Sequence, residues 1–287
     1  MSAARKEQQL EELVGRYNRI LVAFSGGVDS SYLAFTADRV LGSKALAVTA
    51  LSPAVSTYQR RLADNFVAAF RINHRFVQTR EMDDPNYTSN PANRCFFCKH
   101  ELYTRLQTLS AELETQVVFD GSNRDDLRDY RPGRAAAALH GVISPLEEVG
   151  MHKTEIRQLS RKWGLPTWAL PAMPCLSSRF PYGVPVTPGG LEQVERAEDM
   201  LRELGFGEFR VRHHGATARL EIRRDEMSQL DSGMLARIEA RFRQLGYDNV
   251  EVDPRGFRSG SLNEVLAQRA APVAITADNK QQRGSNR

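Results

Sequence analysis

The string Ile20-Leu21-Val22-Ala23-Phe24, closed by Ser25-Gly26-Gly27-Val28-Asp29-Ser30, constrains this chain more than any other. A half-exposed strand would alternate apolar and polar residues. Five apolar residues in a row fit a strand covered on both faces, the kind found in parallel sheets. The two glycines then let backbone amides approach an anion closely. A helix from about Ser30 to Leu41 follows, and its free N–H groups and dipole would add to that attraction. Ser25, Gly26, Gly27, Val28, Asp29 and Ser30 are therefore candidate phosphate-binding residues. An ordinary glycine turn is the plainer alternative. There is no GxxxxGK[ST] string, so the lysine that serves γ-phosphate transfer is missing, and no GxGxxG dinucleotide fingerprint replaces it.

The pattern then repeats. A strand is predicted across Lys44–Leu51, a helix near Thr57–Phe70, a strand at Arg75–Thr79, a helix near Lys99–Leu113 and a strand at Gln116–Asp120. Before them, Leu10, Leu13, Val14 and Tyr17 mark a short amphipathic helix. Strands alternating with helices make βαβ units, and hence an α/β fold with a doubly wound parallel sheet. Residues 181–190 carry three prolines and three glycines and form the best domain boundary. Within them Thr187 and Pro188 suit the N-cap and first position of a new helix. Beyond lie a helix at Leu191–Leu204, strands at Phe209–His213 and Ala218–Ile222, a helix at Asp225–Leu245 and a strand at Val250–Val252. The expected organisation is an α/β domain over 1–183, a smaller α+β domain over 184–266, and a mobile tail over 267–287.

Composition bounds the class. With 41% apolar and 26% charged residues among 287, the chain reads as soluble and globular. Its apolar runs are too short for a bilayer, and the N-terminus has no apolar core of an export signal, so a cytoplasmic location is expected. A net charge of +4 suits a nucleotide or phosphorylated metabolite as readily as RNA. The three cysteines, Cys95, Cys98 and Cys175, are too few for a disulfide framework and point to metal binding or catalysis.

Further residues fit a site at the sheet edge. Asp120-Gly121-Ser122-Asn123 ends a strand at its carboxyl end, where open α/β sheets bind ligands. Ser144-Pro145-Leu146 precedes Lys153, which sits near a helix start and reads equally as a ligand residue or a solvated one. In the later hairpin Arg210 and Arg212 share one face, as do Arg219 and Glu221, and a solvated polar face is the plain reading. Glu198 falls on the apolar stripe of its helix, where a carboxylate needs a partner, a metal or a water-filled cleft.

Ser25–Ser30 resembles the SGGxDS signature of the PP-loop ATP pyrophosphatases. That resemblance implies cleavage of ATP to AMP and pyrophosphate, with the loop around the departing pyrophosphate and Asp29 near Mg²⁺. With Asp120–Gly133, Pro174–Arg179 (PCLSSR) and Phe209–Gly215, the chain resembles the LarE-like sulfur transferases from its N-terminal helix to Leu266. The resemblance implies ATP-dependent adenylation of the carboxylates of pyridinium-3,5-biscarboxylic acid mononucleotide. Their conversion to thiocarboxylates then follows, in biosynthesis of the nickel-pincer nucleotide cofactor. It implicates Asp126, or alternatively Asp125, in the active site, Arg210 and Arg212 in phosphate binding, and Glu198 and Glu221 in the site lining. Gly121 and Lys153 join the candidate ATP-binding set.

In single-cysteine members of that family the cysteine at the Cys175 position gives up its own sulfur. The present chain adds Cys95 and Cys98 as Cys-Phe-Phe-Cys, expected in a loop able to fold toward Cys175. Three thiolates without a fourth suit a [4Fe–4S] cluster with one open iron, as in the three-cysteine members. A Cys₃His zinc site with His100 or His152, or a redox pair at the CxxC, are the alternatives. The other functions left open are tRNA thiolation, weakened by the lack of a basic stripe, an amide-forming ATP pyrophosphatase, and a nucleotide-binding regulator. A homo-oligomer is expected, using a small nucleotide substrate and sulfide or another sulfur donor, with no membrane or nucleic acid partner.

Overall fold

A computed structural model describes residues 1–128 and 131–264. The tail expected over 267–287 lies outside the described residues. Helix α1 (Ala3–Val14) leads into β1 (Ile20–Ala23), α2 (Val28–Leu41), β2 (Ala45–Leu51), α3 (Thr57–Phe70) and β3 (His74–Gln78). The short α4 (Pro85–Thr88), α5 (Arg94–Glu112) and β4 (Val117–Phe119) follow, then α6 (Gly133–Leu139), α7 (Pro145–Glu148) and α8 (Lys153–Lys162). The four strands form a parallel sheet in the order β3-β2-β1-β4.

Strand β1 is buried on both sides, as its unbroken apolar run requires. Ile20 and Val22 join a cluster with α1, α2, α3 and α8, among them Leu10, Tyr32, Phe66 and Ile156. Leu21 points the other way, onto Tyr103, Leu106 and Leu109 of α5 and Ala136 of α6. A period of two along the strand thus divides the helices between the two faces. Helix α3 spans the residues its sequence predicts. Ser56 and Gln59 close it with a reciprocal capping box.

The second half carries α9 (Pro188–Glu203), β5 (Phe209–His214), β6 (Thr217–Ile222), α10 (Ser232–Gln244) and β7 (Asn249–Val252). Its strands form a separate three-stranded sheet, β5 and β6 antiparallel and β6 and β7 parallel. Phe209, Val211, Ala218, Leu220 and Ile222 pack there against Ala197 and Leu201 of α9 and Ile238 and Phe242 of α10. Thr187 caps α9 through the Gly190 N–H at 3.1 Å. The same helix uses Leu191 and Val194 to pack on Tyr87, Leu176 and Phe180, so it serves both halves. The segment read as a boundary is pinned: the Asn90 side-chain amide donates to the Pro181 and Val184 carbonyls at 2.8 Å.

Two expected elements differ. The helix predicted at Lys99–Leu113 begins at Arg94, so Cys95 and Cys98 lie in its first turns and not in a loop. The helix predicted at Asp225–Leu245 is two pieces, a short 3-10 stretch at Arg224–Gln229 and then α10. Asp231 separates them because its carboxylate accepts the Met234 N–H at 2.7 Å, the bond of an N-cap.

Candidate active site

The candidate phosphate loop, Ser25–Ser30, turns between β1 and α2 with Gly26 in left-handed backbone (φ +73°), where a side chain would also press on Ala63 at 3.0 Å. Gly27 is the N-cap of α2 and offers no side chain to its N–H groups. The Ser25 and Ser30 hydroxyls meet at 3.0 Å across the turn. Gly121 packs on Ser30, since a Cβ there would fall 2.9 Å from the Ser30 nitrogen. The end of β4 is thereby held against the loop.

Asp29, in the first turn of α2, pairs with Lys153 at the start of α8. Its other oxygen, Oδ1, is buried and makes no hydrogen bond. An orphaned carboxylate oxygen beside free helix-start amides is suited to a hard cation shared with phosphate. Asp126 is buried close by, accepting the Asn123 N–H at 3.0 Å and an ion pair from Arg131 at 2.7 Å. Burial pushes its carboxyl up, and the charge of Asp29 adds to the rise. Asp125 is exposed and instead caps α8 through the Lys153 N–H at 2.8 Å and the His152 ring at 2.6 Å. Of the two aspartates, Asp126 is the buried one, and it feels the charges of Asp29 and Lys153. Asp120 organises the neighbouring edge, accepting Ser144 Oγ–H at 2.7 Å and Tyr103 O–H at 3.0 Å.

Tyr103 ties this edge to the cysteines, because α5 also carries Cys95 and Cys98. Cys98 and Cys175 pack on Ala54, Tyr87 and Leu176. Cys175 begins a short 3-10 turn, Leu176–Arg179, and the Leu176 N–H is fixed to the Ala54 carbonyl at 2.8 Å. The three sulfurs feel one another. Burial first, then the charges of Glu81, Cys175 and Cys95, push the Cys98 thiol up. Desolvation of its sulfur and then Cys175 raise Cys95. Among the described residues no three His, Cys, Asp or Glu side chains stand at the spacing of a bound metal ion. The three thiols lie within mutual electrostatic reach, a soft donor set of the kind that zinc and iron–sulfur centres both use. His100 turns to His140 at 2.9 Å and His152 to Asp125.

The third part is an arginine nest that the sequence pattern describes poorly. The face of Arg210 and Arg212 is not solvated: both are 9% exposed. Residues 172–179 cover it, with Arg210 donating to the Ala172 carbonyl at 2.8 Å and Arg212 to the Ser178 carbonyl at 2.7 Å. Glu198 has a partner, Arg179, which reaches it with Nε and Nη2 at 2.8 Å each. Glu221 binds Arg212 at 2.7 Å. Three buried guanidiniums thus face two buried carboxylates. Arg210 is the one without a carboxylate at bonding distance among the described contacts, and burial, then the charge of Arg179, lower it to about 10. A nest with one surplus positive charge favours an anion.

Arg179, Arg94 and Ser261 are members of this site that sequence reasoning missed. Arg179 lies in the PCLSSR string, but its pairing with Glu198, nineteen positions on, leaves no local mark there. Arg94 is 3% exposed and donates to the Ser177 carbonyl at 2.8 Å, while the Tyr87 and Ser177 hydroxyls meet at 2.6 Å. The Cys175 loop is therefore bonded on one side to the cysteine helix and on the other to the arginine hairpin.

No family model matches the chain. It is 45% identical over 264 residues to an uncharacterized protein of Synechocystis, covering 92% of this chain and 98% of the other. It is 33% identical over 266 residues to the pyridinium-3,5-bisthiocarboxylic acid mononucleotide synthase of Lactiplantibacillus plantarum, covering 92% and 96%. An uncharacterized protein of Methanocaldococcus jannaschii matches at 25% identity over 241 residues, 84% of this chain and 91% of the other. No helix among the described residues is long and apolar enough to cross a membrane.

Proposed function

The chain belongs to the LarE-like family of the pyridinium-3,5-bisthiocarboxylic acid mononucleotide synthase, and from that premise we propose that it is an ATP-dependent sulfur transferase. It adenylates the carboxylates of pyridinium-3,5-biscarboxylic acid mononucleotide and converts them to thiocarboxylates. The observation that carries this reading is the double attachment of the Cys175 loop. Arg212 holds its Ser178 carbonyl from the side of the surplus-charge nest, and Arg94 holds its Ser177 carbonyl from the side of Cys95 and Cys98. A nucleotide gripped by its phosphate would then present its ring carboxylate beside the thiols.

The steps assigned to this chain's residues follow from their chemistry. A carboxylate is a poor electrophile, so it attacks the α-phosphorus of ATP, the α–β bridging bond breaks and pyrophosphate leaves. The amides of Gly26, Gly27 and Val28, with Ser25 and Ser30, receive the departing pyrophosphate. Asp29 would hold Mg²⁺, which would supply positive charge to the phosphates, and Lys153 pairs with the same carboxylate. Asp126 and Gly121 line the same edge. Arg210 and Arg212 hold the substrate phosphate, and Glu198 and Glu221 keep the guanidiniums in place. Hydrosulfide then attacks the acyl carbon, the carbon–oxygen bond to the phosphate breaks, and AMP leaves with its electron pair. Cys95, Cys98 and Cys175 would hold a [4Fe–4S] cluster, whose uncoordinated iron supplies a place for hydrosulfide. Mixing the protein with ATP, Mg²⁺ and the biscarboxylate nucleotide tests the first half. Release of AMP and pyrophosphate that depends on the nucleotide is expected, whereas ADP and phosphate would overturn the reading.

A further inference from the structure

The arginine nest is closed by the chain's own last described turn. After β7 the backbone is fixed to β6 by the Asp253 N–H to the Leu220 carbonyl and the Phe257 N–H to the Ile222 carbonyl, both at 2.8 Å. The Phe257 ring then stacks on the Arg210 guanidinium, 4.8 Å from centroid to carbon. Beyond Phe257 the backbone bonds among the described residues stay within the turn itself: Ser261 N–H to the Arg258 carbonyl and Asn263 N–H to the Gly260 carbonyl. At its centre Ser261 is 8% exposed and sits between the ion-paired Arg212 and Glu221. Its hydroxyl accepts from Arg212 Nη2 at 2.7 Å and donates to Glu221 at 3.1 Å.

We propose that residues 258–264 form a gate hinged at Gly260, with Ser261 as a plug on Arg212 that an incoming nucleotide phosphate displaces. This rests on the reading of Arg210 and Arg212 as the substrate-phosphate site. Four features support it. Arg212 Nη2, which also donates to Glu221, bonds the neutral Ser261 hydroxyl, a weaker partner than a phosphate oxygen. The turn offers the nest no negative side chain of its own at that point, so its removal leaves the surplus charge in need of an anion. Among the described residues the turn's other attachments are side-chain bonds: Tyr182 O–H to Asn263 at 2.9 Å, Arg255 to Glu264 at 3.2 Å, and Arg258 to the Gly256 carbonyl at 2.9 Å and to the buried Asp253 at 3.8 Å. A turn held by side chains and not by a backbone ladder opens at lower cost. Gly260 holds left-handed backbone (φ +79°) with open space around it, a position where the chain can pivot and where a side chain strains only the closed form.

The test uses the full chain and nicotinic acid mononucleotide, a pyridine-carboxylate nucleotide, as the probe. Calorimetric titration should show Ser261→Ala binding about three- to tenfold tighter than wild type, the worth of one competing hydrogen bond. Gly260→Ala, which disfavours the closed turn without touching Glu221, should shift affinity in the same direction. Hydrogen exchange across 258–264 should accelerate when the probe is added to wild type. Unchanged or weaker binding by both variants, or slower exchange, overturns the gate. Arg210→Met and Arg212→Met separate the two levels of the argument. If they bind the probe as wild type does, the phosphate-site reading falls and the gate falls with it. If they lose binding while Ser261→Ala and Gly260→Ala gain nothing, the gate alone is overturned.

Discussion

Arg179 grips Glu198 through two parallel bonds of 2.8 Å, and both side chains are nearly sealed from solvent. Glu198 also accepts the Val211 N–H at 3.1 Å, and Arg179 donates to the Pro174 carbonyl at 2.7 Å. One ion pair therefore fastens α9, the arginine hairpin and the Cys175 loop together.

The pair predicts an asymmetry between neighbouring arginines. Arg179→Met strands the Glu198 charge in the interior and should cost about 3–5 kcal/mol in urea unfolding. Arg210→Met removes a buried cation with no carboxylate of its own and should change stability by about 1 kcal/mol or less. Only the second variant should then be a folded protein that no longer binds a pyridine-carboxylate nucleotide. Equal losses of stability in both would contradict the surplus-charge description.

Acid should loosen the same joint. Desolvation alone would raise the Glu198 carboxyl, but Arg179, Arg210 and the Val211 N–H outweigh it and hold the group below its ordinary value of 4.5. A carboxyl lowered on folding contributes stability above its unfolded value, and that contribution is lost as pH falls through the folded one. The stability gap between wild type and Glu198→Gln should accordingly be full at pH 7 and shrink progressively below about pH 4.5. A gap that is constant from pH 7 to pH 3 would show that Glu198 carries no linked proton.

Adenylation should fail without Asp29. Asp29→Asn removes the Mg²⁺-facing charge and should lower pyrophosphate release by about a hundredfold or more, with little change in melting temperature. Lys153→Met should act in the same direction, since Lys153 orients that carboxylate. Undiminished pyrophosphate release from Asp29→Asn would remove the cation role.

How far the sequence revealed this site depends on range. The glycine turn after β1 and helix α3 are legible because their signals are local: glycines after an apolar run, and the Ser56–Gln59 capping pair. The start of α5 was misread because Pro91 and the surrounding Asn and Asp residues favour a loop. What holds it is a distant partner, the Ser177 carbonyl bound by Arg94. The arginine face likewise alternates as a solvated hairpin would, and nothing local shows that residues 172–179 and 257–263 cover it. Glu198 was flagged as a carboxylate on an apolar stripe, yet its partner, nineteen positions back, was not identified.

Sulfur delivery should be separable from adenylation. Cys95→Ser should impair iron loading and thiocarboxylate formation while pyrophosphate release continues, because only the second half-reaction needs sulfur. Iron and sulfide analysis after anaerobic purification, with zinc measured alongside, checks the first part. Full sulfur transfer by an iron-free Cys95→Ser protein would eliminate the cluster. A loss of one H₂S mass from Cys175 on turnover would assign the sulfur to that residue instead.

The most direct measurement counts products. The protein, kept anaerobic, is incubated with ATP, Mg²⁺, sulfide and pyridinium-3,5-biscarboxylic acid mononucleotide, and AMP and thiocarboxylate are quantified together by mass spectrometry. The account predicts one AMP for each thiocarboxylate and more thiocarboxylates than protein chains. AMP formed without sulfur entering the nucleotide, or ADP in place of AMP, would contradict it.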